Sequence, residues 1–302
     1  MRICSLLPSA TEILFALGLG DSVAGVTHEC DYPPAAATRP VVVRPRVDAA
    51  ASPAEVDRAV NEFAARGESI YRVDAGLLRA IEPDLILTQD LCHVCAASPD
   101  DLAAALAGMR HEPHVLALTP HTLAEVWDDI RKVGAATGYA SRAEEVVAAL
   151  ERRVKAVEAA VANPATRPLV ACLEWLDPPF CAGHWVPEMV ERAGGHDVIG
   201  IAGKPSFRIE WEQVLDAAPD LIVVMPCGYN IARTVEEIEK LPRPAGWEQI
   251  PAVRAGRAFA VDANAYFSRP GPRLADGVAL LAQLIHPECT IHGVPPNASK
   301  AI

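Results

Sequence analysis

The strongest constraint on the fold is that two parts of the sequence follow one plan. Residues 77–92 read LLRAIEPDLILTQDLC, and residues 213–227 read QVLDAAPDLIVVMPC. Each stretch is typical of a helix, a Pro-Asp-Leu-Ile strand and a loop that ends in cysteine. A second pair, GDSVAGV at 20–26 and GHDVIGI at 195–201, shares the pattern Gly-x-x-Val-x-Gly and follows a helical stretch in both places. The repeat predicts two lobes with the same internal plan.

Short apolar runs alternate with helical stretches along the chain. Continuous apolar runs of this length are typical of buried parallel strands, and their alternation with helices predicts an α/β fold with two Rossmann-like lobes. The predicted strands cover residues 3–7, 41–43, 85–88, 115–118, 169–173, 221–225 and 258–261.

A long backbone helix is predicted to join the two lobes. Thr122-x-x-Glu125 and Ser141-x-x-Glu144 are both typical of a capping box at a helix start. After the second box, apolar residues recur at helical spacing at Val147, Leu150, Val154, Val157 and Val161. About 20 residues at 1.5 Å each reach roughly 30 Å, the width of a domain. We therefore expect an N-terminal lobe at 1–120, a helical linker at 121–165, a C-terminal lobe at 166–290 and a tail at 291–302.

Composition excludes several classes of function. The 302 residues carry a formal net charge of −12, which argues against a nucleic-acid or anionic-membrane binder. The sequence contains no run of about 18 apolar residues, so we expect no membrane insertion. Pro8, Ser9, Thr11 and Glu12 interrupt the first apolar run, so no secretory signal is visible and we expect a cytoplasmic protein. An incomplete start would instead indicate a periplasmic or cell-surface protein.

Aromatic residues are scarce in the chain but frequent in the loops that follow the predicted strands of the second lobe. Ligands of open α/β sheets bind at the carboxyl ends of the strands. Aromatic side chains in such loops favour a broad, flat, partly apolar ligand, although each of them also suits a place in the core. The predicted ligand-binding aromatics are Trp175, Phe180, Trp185, Phe207, Tyr229, Tyr266 and Phe267.

Polar candidates come from both lobes. In LLPSATEI we predict Ser9 as the N-cap of a helix, with Glu12 closing the capping box and free N–H groups facing a ligand. Ordinary helix capping explains the same pattern. In the first lobe Glu29, Cys30 and Tyr32 lie in the predicted loop 27–32, and the other polar candidates for ligand contacts are Ser9, Thr11, Gln89 and Arg269.

Cys92-His93-Val94-Cys95 is open to four interpretations. It suits a redox pair after a strand, although the flanking sequence is unlike an oxidoreductase. A structural zinc site would need a second ligand pair. The motif also suits a wall of the ligand cleft, with Cys92 and His93 facing the ligand. Finally, His93 suits an axial ligand to the metal of a tetrapyrrole.

Sequence motifs for catalysis are weak. G-x-S-x-G, Walker, G-x-G-x-x-G and H-E-x-x-H patterns are absent from the sequence. We therefore expect non-enzymatic binding of a ligand. The alternative of another class is a thiol redox enzyme that uses Cys92 and Cys95.

Several stretches together resemble a known family. RICSLLPSATEILFALGLGDSVAGVTHECDYPP, AIEPDLILTQ and the run from PAVRAGRAF to LIHP, with SRPGPR inside it, are similar to cobalamin-binding proteins. These are the vitamin B12 members of the helical-backbone, class III substrate-binding proteins of ABC transporters. The resemblance covers nearly all of residues 1–288. It implies two Rossmann-like lobes, a long linking helix and a corrinoid held between the lobes, with cobalamin as ligand.

The resemblance also implies site and docking residues. The matching cobalamin-binding loops are Glu29–Tyr32, the loop near Phe207 and the stretch from Asn264 to Phe267. The family's aromatic from the first lobe has no clear match, and a stretch from Arg46 onward looks like an insertion in which Tyr71 is a candidate substitute. Docking on an ABC permease uses one acidic residue per lobe. Glu212 matches the second, whereas the first falls near Gly76 and is missing.

Two alternatives follow from the same fold. With no visible leader and one docking acid absent, the resemblance suits a cytoplasmic corrinoid carrier that delivers cobalamin to a cofactor-accepting protein, as well as a transporter's receptor. Haem or a ferric siderophore is the alternative ligand. A siderophore's negative charge favours arginines, and the candidates are Arg44, Arg46, Arg208 and Arg269.

Overall fold

The structure is a computed structural model and describes residues 1–48, 51–89, 99–162 and 167–302. These residues form two compact units. The first unit contains Met1–Pro120 and Trp127–Val146, and the second contains His121–Val126 and Val147–Ile302. The predicted linker is thus shared between the units, and the boundaries near 165 and 290 stay predictions. Within the described ranges, no helix combines the length and the apolar character that crossing a bilayer requires.

A sheet in the order β4-β3-β2-β1-β5-β6 forms the centre of the first unit. Neighbouring strands are parallel except β3 and β4. The strands are β1 (Ile3–Ser5), β2 (Val23–Thr27), β3 (Val41–Pro45), β4 (Tyr71–Val73), β5 (Leu85–Thr88) and β6 (His114–Ala117). The helices are α1 (Pro8–Ala16), α2 (Pro53–Ala65), α3 (Ala75–Ile81), α4 (Pro99–Leu106) and α5 (Leu123–Thr137), whose first residues belong to the second unit.

Strand β2 is absent from the sequence-based prediction because Ala24 and Gly25 weaken its apolar run. The structure explains the glycine. A Cβ atom at position 25 would lie 2.9 Å from the Cys4 Sγ atom and 3.0 Å from a methyl group of Val42. Gly25 therefore allows β2 to pack closely against its neighbours.

The second unit has a sheet in the order β10-β8-β7-β11-β12-β13, and β9 pairs with β7. Its central strands β7, β11 and β12 are parallel. The strands are β7 (Leu169–Leu176), β8 (Pro179–Cys181), β9 (His196–Asp197), β10 (Phe207–Arg208), β11 (Leu221–Val224), β12 (Ala258–Val261) and β13 (Ser299–Ala301). The helices are α6 (Ala140–Ala160), α7 (Val186–Arg192), α8 (Trp211–Ala217), α9 (Ile231–Lys240), α10 (Pro251–Arg254), α11 (Ala263–Tyr266) and α12 (Leu274–Ile285). Because β13 pairs with β12, the predicted tail contains a strand of the sheet.

Helix α6 matches the predicted backbone helix. Four residues of the predicted apolar stripe lie in the helix, the fifth, Val161, directly follows it, and all five are at most 6% exposed, so the 3.6-residue periodicity identified the buried face. The capping box at its start differs from the prediction. The helix begins at Ala140, before Ser141, and the Glu144 carboxylate pairs with Arg131 at 3.2 Å. The predicted box at Thr122 is present, since the Glu125 N–H donates to the Thr122 hydroxyl and the Thr122 N–H donates to the Glu125 carboxylate.

The predicted repeat is visible in both units. Helices α3 and α8 each end at a residue with left-handed backbone, Glu82 (φ 47°) and Ala218 (φ 43°). A Pro-Asp pair follows each of them and leads into β5 or β11. The carboxylate of Asp84 accepts the Arg2 N–H at 2.6 Å, and the carboxylate of Asp220 accepts the Leu169 N–H at 2.9 Å. The predicted α/β fold with one plan used twice is therefore confirmed.

Candidate functional site

The carboxyl ends of the parallel strands in the second unit define its candidate site. Strands β7, β11 and β12 are neighbours and run in one direction, so the loops that follow them lie at one edge of the sheet. The loop after β11 leads into α9, whose N-cap Asn230 accepts the Arg233 N–H at 3.0 Å. The loop after β12 leads into α11, whose N-cap Asp262 accepts the Ala265 N–H at 2.9 Å. Both caps fix the backbone at this edge.

Three aromatic side chains form a continuous row at this edge. Phe180 on β8 pairs directly with Trp175 on β7, so both side chains lie on one face of the sheet. The ring of Trp175 lies 5.3 Å from the ring of Tyr229, tilted by 54°. All three residues are partly exposed. We call Trp175, Phe180 and Tyr229 the aromatic row.

A register shift in β7 places Trp175 in this row. The pairing of β7 with β8 shifts between Leu173 and Trp175. A shift of this kind redirects side chains relative to the regular alternation. Residues 170–173 are buried, whereas Glu174 and Trp175 are both partly exposed. The irregular pairing therefore supplies a partly exposed indole at the end of a buried strand.

Two hydrogen-bonding groups in the aromatic row lack a protein partner. The indole Nε1 of Trp175 and the hydroxyl oxygen of Tyr229 are buried, and neither has a hydrogen-bond partner among the described residues. The Arg233 guanidinium lies over the Tyr229 ring, 5.4 Å from its centroid, and it opposes the effect of burial on the pKa of the hydroxyl. Burial raises the pKa of the Tyr229 hydroxyl, so the phenol is protonated at neutral pH and is able to donate a hydrogen bond.

Arginines flank the aromatic row, and each is paired with a carboxylate. Arg208 on β10 pairs directly with Phe180, and its guanidinium lies 3.7 Å from the Glu210 carboxylate. Arg233 lies 3.0 Å from the Glu237 carboxylate, which is 4% exposed. The positive charges beside the row are therefore largely balanced by the protein itself.

Two predicted ligand-binding aromatics lie in the interior of the second unit, and a third, Phe207, is partly exposed and packs against its core. Trp185 and Phe267 are 4% and 1% exposed, and the Trp185 indole donates to the Phe267 carbonyl oxygen at 2.8 Å. Phe207 packs against the buried cluster that contains Leu173 and Cys181. Packing against other protein groups gives these side chains no added support as ligand contacts. Their role in ligand binding stays a prediction.

The loop after β12 holds the remaining predicted residues of the second unit. Tyr266 is partly exposed at the end of α11, and the Arg273 guanidinium lies 5.9 Å from its ring centroid. Arg269 is only 9% exposed. Tyr266 is therefore placed where it could meet a ligand, whereas the Arg269 side chain is mostly enclosed by protein.

The predicted N-cap in the first unit is wrong. Helix α1 begins at Pro8, Leu7 occupies the N-cap position, and Ser9 lies inside the helix at 2% exposure. Proline explains the difference, because it has no N–H to cap and its fixed φ suits the first helical position. The helix therefore starts two residues earlier than the Ser-x-x-Glu pattern predicts. Glu12, expected to close the box, is 4% exposed.

Thr11 and Cys30 belong to a buried polar cluster. Thr11 is fully buried, and its hydroxyl donates to the Ser5 hydroxyl at 2.8 Å. The Cys30 Sγ lies 3.1 Å from the same Thr11 oxygen and 3.8 Å from the Thr27 hydroxyl. These polar groups bond to each other, which explains how four of them are tolerated in the interior.

Other predicted residues of the first unit are accessible. Tyr32 is 46% exposed, and Glu29 and Gln89 are partly exposed. Tyr71, the candidate substitute aromatic, is partly exposed on β4 and lies 5.9 Å from the His28 ring. Cys92, His93 and Cys95 lie outside the described residues.

Sequence reasoning missed a pair of histidines in the second unit. The ring centroids of His121 and His184 are 5.5 Å apart, and the His184 ring stacks on Trp185 at 5.4 Å. Burial lowers the pKa of His184, and the neighbouring His121 lowers it further. The positive φ of 52° at His184 is the kind of feature that a sequence does not reveal. Within the described ranges, His, Cys, Asp and Glu side chains form no cluster of three or more suited to a metal ion.

The fold and this edge define a class of protein, an α/β binding protein built from two similar units. Comparison with known sequences then gives the family. The profile of the periplasmic binding protein family matches residues 3–265, and the chain belongs to that family, the class III substrate-binding proteins of ABC transporters. The resemblance found in the sequence is therefore confirmed at the level of the family.

Individual relatives are similar over most of their length. The chain is 27% identical to the uncharacterized ABC transporter substrate-binding lipoprotein YvrC of Bacillus subtilis (strain 168), over 95% of this chain and 80% of that protein. It is 24% identical to the vitamin B12-binding protein of Vibrio cholerae, over 92% of this chain and 86% of that protein. The solved structure of the apo periplasmic heme-binding protein RhuT from Roseiflexus sp. RS-1 is similar with a TM-score of 0.71 and 26% identity, over 95% of this chain and 98% of that one.

The expectation of a cytoplasmic protein is wrong. Family membership and the matched relatives, which are named as a substrate-binding lipoprotein and as periplasmic proteins, contradict it. The expectation rested on the first residues, which form β1 and α1 of the fold and carry no information about the compartment.

Proposed function

We propose that this chain binds cobalamin or a related corrinoid as the substrate-binding component of an ABC transporter. The aromatic row carries the proposal. It offers an apolar surface of three aromatic side chains at the edge of the sheet where ligands of α/β proteins bind. A corrin ring is broad and partly apolar, and aromatic faces are suited to pack against it.

The two partnerless groups in the row support an amide-rich ligand. The Trp175 indole N–H and the Tyr229 hydroxyl are both hydrogen-bond donors, and burying them without partners costs free energy. The edge of a corrin ring carries amide side chains whose carbonyl oxygens accept hydrogen bonds. A bound corrinoid would supply acceptors that the protein lacks.

The charge around the row supports a ligand with little net charge. Arg208 and Arg233 are both paired with carboxylates, Glu210 and Glu237. A strongly anionic ligand would have to compete with these carboxylates for the guanidinium groups. A corrinoid does not require that competition. This observation ranks a corrinoid above a ferric siderophore.

Haem is the second candidate ligand. Arg208 and Arg233 adjoin opposite ends of the row, an arrangement suited to a flat ring with two carboxylates. The similar structure of a protein named as heme-binding supports the same alternative. The names of the relatives therefore support two ligands. We rank the corrinoid above haem because Arg208 and Arg233 are already paired with carboxylates.

The first unit and an acidic surface residue complete the proposal. In the first unit, Tyr32 and Gln89 are accessible after β2 and β5 and are its candidates for ligand contacts. Glu212 is exposed in the first turn of α8 and is the proposed contact to an ABC permease from the second unit. Its counterpart in the first unit, Gly76, is exposed in α3 and has no side chain to offer.

Direct titration tests the ligand. Purified chain is titrated with hydroxocobalamin and, separately, with haemin, followed by calorimetry and visible absorbance. We expect corrinoid binding with a dissociation constant of about 1 μM or lower, roughly −8 kcal/mol. Dicyanocobinamide, which lacks the nucleotide loop, shows whether the ring alone is recognised. Haemin binding without any corrinoid binding would contradict the proposal.

A further inference from the structure

His121 and His184 come from two separate loops of the second unit. His121 follows β6 and precedes α5, and His184 lies between β8 and α7. Their ring centroids are 5.5 Å apart, and the ring planes are inclined by 36°. Two imidazoles thus lie side by side although 63 positions separate them in the sequence.

Each ring has a nitrogen without a partner. The Nδ1 atoms of His121 and His184 are both buried, and neither has a hydrogen-bond partner among the described residues. Buried nitrogens are nearly always satisfied, so two such atoms in adjacent rings need an explanation. The proposed corrinoid site does not use either ring.

The protein holds both histidines in place. The His121 N–H donates to the Glu125 carboxylate at 2.5 Å, which joins His121 to the start of α5. The His184 N–H donates to the Lys204 carbonyl at 2.6 Å, and the His184 carbonyl accepts the Gly203 N–H at 2.9 Å. Both backbones are therefore anchored independently of the imidazole rings.

Residues 183–185 combine backbone strain with close packing around His184. His184 has a left-handed backbone with φ 52°, a conformation that non-glycine residues adopt rarely and that tends to mark functional sites. Gly183 packs so closely that a Cβ atom there would lie 2.6 Å from the Lys204 carbonyl oxygen. The ring of His184 stacks on Trp185 at 5.4 Å, inclined by 26°. Strain, close packing and stacking all fix the direction of one imidazole.

We infer that His121 and His184 bind a divalent transition-metal ion through their Nδ1 atoms. Two imidazoles on one tetrahedral ion, with metal–nitrogen distances of about 2.0–2.1 Å, place their ring centroids roughly 5 Å apart. The observed 5.5 Å fits this geometry. Zn²⁺, Co²⁺, Ni²⁺ and Cu²⁺ all accept imidazole ligands.

The site is open rather than closed. No third His, Cys, Asp or Glu of the described residues completes a cluster around the two rings. Water or main-chain oxygens therefore fill the other coordination positions. This inference goes beyond the proposed function and does not depend on which organic ligand the chain binds.

Metal titration of the full chain is the test, after dialysis against a chelator. Zn²⁺ binding is followed by calorimetry and Co²⁺ binding by visible absorbance. We expect one ion per chain, and Co²⁺ bands without the thiolate charge-transfer absorption that a cysteine ligand would give. His121→Ala and His184→Asn should each weaken Zn²⁺ binding at least about tenfold, a change of about 1.4 kcal/mol. Asparagine is chosen because it tolerates left-handed backbone.

Two controls make the outcome decisive. His292→Ala removes an exposed histidine elsewhere and should leave the Zn²⁺ affinity unchanged. Alkylation with iodoacetamide removes the thiols of Cys92 and Cys95 as ligands and should also leave it unchanged. Circular dichroism verifies that each variant is folded, and His121→Ala tests the site even if the His184 variant fails to fold. No Zn²⁺ binding, unchanged affinity in His121→Ala, or loss of binding on alkylation would each overturn the inference, and an ordered water would then explain the two nitrogens.

Discussion

The Trp185 indole donates a hydrogen bond of 2.8 Å to the carbonyl oxygen of Phe267, 82 residues further along the chain. Both side chains are almost completely buried. The bond joins the start of α7 to the end of α11 inside the second unit. These two aromatics therefore stabilise the edge of the sheet from inside, whereas the aromatic row is exposed at that edge.

Replacing Trp185 should affect stability more than binding. Trp185→Phe removes the indole N–H and leaves the Phe267 carbonyl buried without a partner, so we expect the free energy of unfolding to fall by about 1–3 kcal/mol. Urea denaturation measures the change. Corrinoid affinity of the folded variant should stay within about twofold of the parent protein, a change of roughly 0.4 kcal/mol. A large loss of corrinoid affinity with unchanged stability would instead show that Trp185 contributes to ligand binding.

Tyr266 and Phe267 are adjacent but should respond differently to alanine substitution. Phe267 is 1% exposed, and a Phe→Ala change in a core typically costs about 3–5 kcal/mol of stability. Tyr266 is partly exposed, so Tyr266→Ala should leave the unfolding midpoint nearly unchanged and weaken corrinoid binding at least about tenfold. Parallel thermal melts and titrations of the two variants separate these effects. Equal stability losses in both would place Tyr266 in the core as well.

Asp197 should make the protein more stable in mild acid than at neutral pH. Burial raises the pKa of its carboxyl from 3.8 to about 6, although the N–H groups of Ile199 and Gly200 oppose the shift. The Asp197 Oδ2 is buried without a partner, and the charged groups beside the carboxyl are His196 and Glu191, with the thiols of Cys172 and Cys181 nearby. A raised pKa in the folded state means that the stabilisation is complete below pH 3.8 and is lost as the pH rises through about 6.

The Asp197→Asn variant isolates this contribution. Its stability advantage over the parent protein should grow by about 2–3 kcal/mol between pH 4 and pH 7, since one pKa unit corresponds to about 1.4 kcal/mol. Denaturant titrations of both proteins across this range give the difference, and groups that titrate in both proteins cancel. Parallel pH profiles would contradict the raised pKa of Asp197.

The buried thiols should resist alkylation at neutral pH. Burial raises the pKa of Cys4 to about 12 and that of Cys181 to about 11, and it raises the pKa of Cys172 as well. Little thiolate is therefore present on these residues. Mass spectrometry after brief iodoacetamide treatment should find label on the partly exposed Cys227 and Cys289 before it appears on the buried Cys4, Cys172 and Cys181. Rapid labelling of Cys172 in the folded protein would show that its surroundings open readily.

Patterns of buried residues made much of the fold predictable. The strands at 85–88 and 258–261 were located to the residue because both faces of each are buried, which leaves a continuous apolar run. The apolar stripe of α6 was located because its buried residues recur at helical spacing. Strand β2 was missed because close packing selected glycine there, and glycine weakens the apolar signal.

The site was predictable only in part, because residue type does not reveal which face a side chain occupies. Phe180 and Phe207 lie on paired strands, yet the first faces the edge and the second packs into the core. The register shift beside Trp175 and the left-handed backbone at His184 have no local sequence signature. Both depend on contacts with distant segments, and both decide which side chains a ligand or an ion can reach.

The affinity of Trp175→Ala for hydroxocobalamin tests the central claim most directly. If the aromatic row is the ligand surface, this variant should bind at least about tenfold more weakly than the parent protein, a loss of about 1.4 kcal/mol. The matched control is Trp211→Ala, which removes a partly buried tryptophan that packs against the core cluster of the same unit. We predict unchanged affinity in the folded control variant. Equal affinities of the Trp175 variant and the parent protein would contradict the assignment of the row.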